Sequence, residues 1–498
     1  YCGSRVFRSV KSVINALRLL ASQVDEVLIG TDPDSEGEKI AWDLYLLLRP
    51  FNKNIKRIRF HEVTKRAILE ALRNPSSIDE NMVKAQIVRR IEDRWIGYSL
   101  SPILWKEFGL NYLSAGRVQT PVLGFVVERT KEATKKIELV EIETEDGNRF
   151  IIKAPRGTYK KILEKNYVEI KDLEIKEEVI NPPPPFTTDT MLVAITSSLR
   201  ISAEKAMDIA QKLFELGLIT YHRTDSTTVS TFGLGIARDY ISNSFGEEYF
   251  TPRKWEMPGA HECIRPTRAV DTHRLKTLVA AGILKLQQPL TDDDLRVYDI
   301  IFKRFIASQM PPARIKRVEF TLVAGDFEQR FSFVKEILEP GFTLVAPVPI
   351  EKREFREGKL SIKSLRYKLI SEKPLYGYSD LVALMKEKEI GRPSTYAVII
   401  ETLRRRGYVV ELKKAGSKLV STKLGEKVYN YLISNYEPYV NINRTRELEK
   451  KTDLIERGEA DYNEVLDELY DEIRKILVDA MENKHVKYPV LDTKYLHE

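Results

Sequence analysis

The tightest constraint on the fold lies at residues 24–48, where VDEVLIG, TDPDSEGE and KIAWDLYLLL follow one another without a gap. The first segment is a short run of Val, Leu and Ile, the length and composition of a strand buried on both faces. The last has the apolar spacing of a helix. Ahead of both, residues 8–22 place Val10, Val13, Ile14, Leu17 and Leu20 at helical spacing. Helix, strand, acidic loop and helix make a piece of a parallel α/β sheet. In such sheets functional loops sit at the carboxyl ends of the strands.

Further on, residues 60–135 read as mostly helical, with breaks expected at Ser101-Pro102 and around Gly116. Residues 136–180 alternate apolar and polar groups (IELVEIE, RFIIKA, YVEIKDLEI) and predict strands. Pro182 to Pro185 form a rigid boundary, and FTTDT supplies a capping start for a helical region. From there the pattern predicts two helices, a stop at Gly217 and a strand, LITYHRTDS. A similar layout returns at SDLVALMKEKE, IGRPS and TYAVIIETLRRRG, followed by a hairpin from YVVELK to KLVST. Helix–turn–helix with a hairpin is a winged-helix layout, which presents a helix to nucleic acid. RVEFTLVA and RFSFVKEI predict a return to the strand-rich region, and residues 445–484 a charged helical end.

Composition bounds the class. Of 498 residues, 43% are apolar and 31% charged, enough for a packed core and against wholesale disorder. At roughly 150 residues per domain, three or four domains are expected. Lys and Arg exceed Asp and Glu by 80 − 73 = +7, a balance that allows a polyanionic partner without requiring one. Dense charge of both signs points toward the surface ion-pair networks of a thermophile. The two cysteines, Cys2 and Cys263, exclude a disulfide scaffold and a four-cysteine zinc site within this chain. No apolar run approaches a membrane span, and the amino end has no apolar signal core, so a cytoplasmic location is expected and no membrane partner. No GxxxxGK[ST] occurs, so the chain shows no P-loop of its own for ATP.

Six segments carry candidate chemistry. Asp32, Asp34 and Glu36 match the early positions of a calcium loop, but a strand precedes them where that loop needs a helix. They read either as hard oxygen ligands for Mg²⁺ or as an acidic helix start favoured by the helix dipole. Tyr221 opens YHRTDS. On a strand, Arg223 would share its face, hold a phosphodiester bidentately and favour the phenolate, with Thr224 and Ser226 as hydroxyl donors. The alternative is an ordinary half-buried tyrosine. His261 lies near Arg265 and Arg268, as a phosphate contact or a structural imidazole. SAGRVQT (Ser114, Arg117, Gln119) and GRPSTY (Arg392, Ser394, Thr395, Tyr396) combine small residues, an Arg and neutral donors. Such sets hold a sugar–phosphate backbone without reading sequence, and they also serve as plain turns. Arg89, Arg90 and Arg94 form either a nucleic-acid contact or a solvated helix face.

Taken in order, DPDSEGE, SAGRVQTP, PPPPFTTDT, YHRTDS, GAHECIRPTR and IGRPSTYA resemble the type IA DNA topoisomerases, over about residues 20–450. Within that family TDPDSEGEKIAWDL and RRIEDRWIGYSL look most like the topoisomerase half of reverse gyrases. The resemblance implies a multidomain α/β-plus-α toroidal fold: a partial Toprim domain (1–58), a helical base (59–130 and 369–498), a strand-rich arch (131–185 and 331–368) and a winged-helix-like tyrosine domain (186–330). It implies Tyr221 as nucleophile and Arg223 on the scissile phosphate. Asp32, Asp34 and Glu36 would carry Mg²⁺, with His261 near the leaving oxygen. DNA contacts would come from Ser114, Arg117, Gln119, Thr188, Thr224, Arg265, Arg392, Ser394, Thr395, Tyr396, Arg90 and Arg94. The family's catalytic Glu and Lys on the first Toprim strand are not in this sequence, which looks like one part of a larger or split protein. Cys2-Gly3 resembles the end of a zinc ribbon whose other Zn²⁺ ligands lie outside it. ATP would act only through a helicase-like module, of the same protein or a partner chain. A stand-alone relaxing topoisomerase and a non-catalytic DNA-binding subunit are the alternatives.

Overall fold

The computed structural model describes residues 10–257, 262–413 and 417–482, with side chains up to residue 475. Cys2 and His261 lie outside the described residues. The chain forms two compact units, one of residues 1–124, 382–410 and 422–498, the other of residues 125–381 and 411–421.

In the first unit, α1 (Val10–Ala21), β1 (Val27–Ile29), α2 (Ser35–Leu48) and β2 (Ile55–Arg57) realise the opening pattern, with β1 and β2 paired in parallel. The helices α3 (Lys65–Arg73) and α4 (Glu80–Phe108) follow. The break expected at Pro102 does not occur, because α4 runs through it. Ser99, Leu100, Ser101, Ile103 and Leu104 are all buried there, and packing outweighs the hydrogen bond that proline removes. The break around Gly116 is real, since α5 (Gln119–Glu132) starts just after it.

The second unit is organised by a six-stranded antiparallel sheet in the order β4-β3-β8-β5-β6-β7. Its strands are β3 (Lys136–Thr144), β4 (Arg149–Ala154), β5 (Tyr167–Ile180), β6 (Ala313–Ala324), β7 (Phe327–Glu339) and β8 (Gly358–Ser371). The chain returns to the sheet with β6 and β7, which contain the expected RVEFTLVA and RFSFVKEI strands. A helix, α6 (Thr158–Lys165), interrupts the segment read as all strand and seats Ile162 in the sheet's core with Phe150, Ile170 and Phe320. Past Asp172, held at φ 54°, β5 leaves that core. It continues as a ribbon with β6 and β7, stitched by ion pairs such as Arg314 with Glu177 and Glu339.

Between β5 and β6 lie α7 (Thr188–Leu199), α8 (Ala203–Glu215), α9 (Thr231–Ser244), α10 (Thr272–Ala280) and α11 (Asp292–Ser308). The capping start is borne out by a reciprocal box between Thr187 and Thr190. Gly217 ends α8 at φ 66°. Among the described residues no hairpin follows α8, so this half of the expected winged-helix pair shows no wing. The second half does: α12 (Tyr378–Glu387) and α13 (Tyr396–Arg405) precede β9 (Val409–Leu412) and β10 (Lys418–Ser421), which pair. The last described elements are helices, α14 (Lys423–Val440), α15 (Ile442–Glu456) and α16 (Tyr462–Glu482).

Candidate functional site

The acidic loop is built on a buried arginine that sequence reasoning missed. Arg57, at the end of β2, is fully buried. Its guanidinium donates to the carbonyls of Thr31 at 3.0 Å, Asp32 at 2.8 Å and Ile29 at 3.2 Å, and to Glu38 Oε2 at 3.0 Å. Glu38 in turn accepts from Arg59 and from the Asp79 N–H at 2.7 Å. Burial pushes the Glu38 carboxyl up, but those donors and both guanidinium charges outweigh it and hold its pKa below the usual value. Asp34 caps α2, accepting from the Gly37 N–H at 2.8 Å. A Cβ on Gly37 would lie 2.1 Å from the Asp32 carbonyl oxygen, so only glycine lets the loop close. The acidic helix start is therefore borne out, with Asp34 as its cap.

No three His, Cys, Asp or Glu residues converge as a ready metal cage among the described residues. The donor set still suits Mg²⁺, which keeps several waters and takes one or two carboxylates together with substrate phosphates.

In the second unit Tyr221 is 2% exposed, its ring edge-on to Phe214 with centroids 5.2 Å apart. The segment around it is not the expected strand. It makes one isolated bridge, Ile219 to Pro266, and proline offers no N–H to extend a ladder. The shared face proposed for Tyr221 and Arg223 therefore has no strand beneath it.

Side chains fix the segment instead. Before Tyr221, Thr220 Oγ1 donates to the Cys263 carbonyl at 2.7 Å and accepts from the Arg265 N–H at 2.9 Å. After it, Thr188 Oγ1 lies 2.7 Å from the His222 carbonyl and accepts from the Thr224 N–H at 2.8 Å. Thr188, Thr224 and Arg265 are thus buried parts of the clamp rather than surface contacts for DNA. Arg265 is paired with Glu262 at 2.8 Å. His222 is wholly buried with neither ring nitrogen hydrogen-bonded. Burial, then the adjacent Arg223 charge, lower its pKa to about 3 and keep it neutral.

In the first unit Arg117 and Arg392 are also committed internally. Glu449 on α15 receives Arg117 at 2.9 Å, Arg392 at 2.6 Å and Arg89 at 3.2 Å. Burial raises its carboxyl, but the three arginines outweigh it and bring it down to about 2. Arg117 also bonds Asp93 at 2.8 Å. Thr395 closes the Gly391-Arg392 turn by accepting from the Arg392 N–H at 2.9 Å, and Tyr396 is buried. The basic motifs therefore lock α4, both small-residue loops and α15 together. Arg117 and Arg392 are not free surface anchors.

What is open is a cleft of about 550 Å³ lined by Arg90, Asp93, Arg94, Tyr98, Trp105, Tyr112, Ser114 and Arg406, among others. Arg90, Arg94 and Ser114 were expected, whereas Arg406 and the aromatics were missed. Tyr98, Trp105 and Tyr112 are 65%, 40% and 45% exposed. Arg94 stacks over Tyr98 at 5.2 Å. The Trp105 indole N–H is tied to the Leu113 carbonyl at 2.6 Å. Ser114 is held by Tyr408, Arg406 and Gln119. Exposed aromatics at α4 positions beside arginines were the available signal. Bases stack on such rings while guanidinium groups meet phosphates.

The chain matches the DNA topoisomerase family over residues 77–467 and the Toprim domain over residues 5–63. It is 47% identical to a reverse gyrase of Pyrococcus furiosus, over 95% of this chain and 39% of that protein. It is 45% identical to reverse gyrase 1 of Aquifex aeolicus, over 94% of this chain and 41% of that protein. It therefore spans about two fifths of these relatives. The structure of full-length topoisomerase I from Thermotoga maritima superposes with a TM-score of 0.77 at 34% identity, covering 94% of this chain and 80% of that one.

Replacing Arg57 with Met removes the buried one of Glu38's two guanidinium partners and leaves the carbonyls of Ile29, Thr31 and Asp32 without their donor. The expected cost is about 3–5 kcal/mol, read as a lower unfolding midpoint, and a wild-type midpoint would contradict this account of the loop. Thr188→Val removes a buried hydroxyl that serves three backbone groups. It should destabilise the tyrosine segment by about 1–3 kcal/mol, measured as faster amide exchange at residues 222–224.

Proposed function

The chain belongs to the type IA DNA topoisomerase family, and on that premise we propose that it cuts one DNA strand through Tyr221, lets a second strand pass and reseals the first. The Tyr221 oxygen attacks phosphorus, forming a 5′-phosphotyrosine while the bond to the 3′ oxygen breaks. That oxygen leaves with the electron pair and ends as a free hydroxyl, protonated by the proton lost from the phenol. The covalent link keeps the phosphodiester's energy, so resealing is the reverse displacement and needs no ATP.

The observation that carries this reading is the two-sided clamp on Tyr221, in which Thr220 and Thr188 hold the backbone immediately before and after the nucleophile. A fixed phenol contributes orientation. Arg223, two residues on, supplies positive charge to the scissile phosphate, and His261 a contact near the leaving oxygen. Mg²⁺ at Asp32, Asp34 and Glu36 would spread the charge of the broken end. The aromatic, arginine-lined cleft takes single-stranded DNA by stacking and phosphate contacts, with Gln119 supporting it through Ser114.

The relatives support a role as the topoisomerase part of a reverse gyrase. An ATP-dependent helicase module beyond this chain would bias passage toward positive supercoils, and Cys2 would join a zinc ribbon there. The 80% coverage of full-length topoisomerase I from Thermotoga maritima supports the second reading, a relaxing enzyme. Among the described residues no helix is long and apolar enough to cross a membrane.

Tyr221→Phe should abolish covalent attachment to a labelled oligonucleotide on a denaturing gel while leaving DNA binding intact. Adduct retained by that variant removes Tyr221 as nucleophile, and no adduct from the wild type leaves a DNA-binding subunit. Tyr98→Ala should weaken single-stranded DNA binding by about 1–3 kcal/mol, read by fluorescence anisotropy, and unchanged affinity would place the strand elsewhere.

A further inference from the structure

We infer that Glu92 is a positioning residue of the DNA cleft, acting through Arg117 to set whether the Asp93 carboxylate is held against the cleft wall or released into it. This rests on the reading of that cleft as a single-strand site. Glu92 and Asp93 are neighbours on α4, and both reach the same atom. Arg117 Nε lies 2.8 Å from Asp93 Oδ1 and 3.2 Å from Glu92 Oε1. That nitrogen carries one hydrogen, and Asp93 has it.

The two acids sit in opposite surroundings. The Asp93 side chain is 54% exposed and lines the cleft with Arg90, Arg94 and Arg406. Glu92 is fully buried, and both its carboxyl oxygens lack a hydrogen bond. An ionised carboxylate in that position would be strongly destabilised. Burial is the main reason its pKa is raised to about 8, with the charges of Asp93 and Glu449 adding to it and those of Arg117 and Arg444 opposing.

The charged groups facing Glu92 are therefore Asp93 on its own helix, Arg117 from the loop before α5, and Glu449 and Arg444 from α15. Arg444 is itself paired with Glu447 and with Glu472 of α16. Arg117's Nη1 is held by Glu449 at 2.9 Å, so the guanidinium stays in place while its Nε changes partner.

Below the pKa of Glu92 its acid is neutral, and Arg117 keeps Asp93 neutralised at the wall. Above it, a second carboxylate competes for Nε. Asp93 then loses its counter-charge and faces the surface that phosphates occupy. The cleft gains a negative charge, and single-stranded DNA binds less tightly.

The test is fluorescence anisotropy of a labelled oligothymidylate on the full chain, at fixed ionic strength, between about pH 6.5 and 9.5. The wild type should lose affinity by about three- to ten-fold as pH passes about 8. Glu92→Gln, isosteric and neutral, should hold the low-pH affinity throughout. Asp93→Asn, which removes the released charge itself, should also flatten the profile. A wild-type decline that persists unchanged in both variants, or a wild-type profile as flat as theirs, overturns the inference. The reading of the cleft fails separately, if Tyr98→Ala binds as tightly as wild type at the low-pH end. A merely structural role for Glu92 would lower the melting temperature of Glu92→Gln without altering the pH profile.

Discussion

Buried guanidinium groups organise this molecule. Arg57 sits inside the acidic loop and holds carbonyls of β1 and of the loop itself. Arg117 sits behind the arginine-lined cleft and joins α4 to α15. Arg265 sits beneath the tyrosine segment with Glu262. An arginine presents five donors in a rigid plane and stays charged in any accessible condition. Burying one costs several kcal/mol of desolvation, so its position is stable only when carboxylates and carbonyls meet it in good geometry. Each therefore demands a particular arrangement of backbone around it, and loops without regular structure acquire definite shapes.

That requirement explains why the functional segments need no strand or helix of their own. Tyr221 lies on a stretch with one isolated bridge, yet Thr188 and Thr220 occupy the backbone groups on either side of it. The acidic loop likewise owes its closure to Arg57 and to a glycine that leaves room for the Asp32 carbonyl. Chemistry at a phosphodiester asks for placement more than for reactive groups. Hydroxyls and guanidiniums tied to backbone atoms supply that placement.

The arginines that mattered most in the sequence changed role in three dimensions. Arg117 and Arg392 stand in small-residue motifs that look built to cradle a phosphate backbone. Both instead converge on Glu449, far away in the chain. The residues that line the open cleft are Arg90 and Arg94, from a charge run that reads equally well as solvated surface, together with the aromatics Tyr98, Trp105 and Tyr112. Sequence spacing cannot tell a guanidinium aimed inward from one aimed outward, because its partner lies tens to hundreds of residues away.

By itself the sequence determined the opening α/β unit, the strand-rich middle, the capped start after the prolines, and the family through its ordered motifs. Those signals are local: apolar periodicity, turn chemistry and short spacings are written within a few turns of chain. Tertiary structure alone decided that α4 runs through Pro102, that a helix interrupts the sheet region, and that the tyrosine rests on a clamp rather than a strand. It also decided which arginines are buried and which face the cleft. Those outcomes depend on burial and on pairing between distant residues, and desolvation is a property of the packed molecule, absent from any stretch of chain read alone.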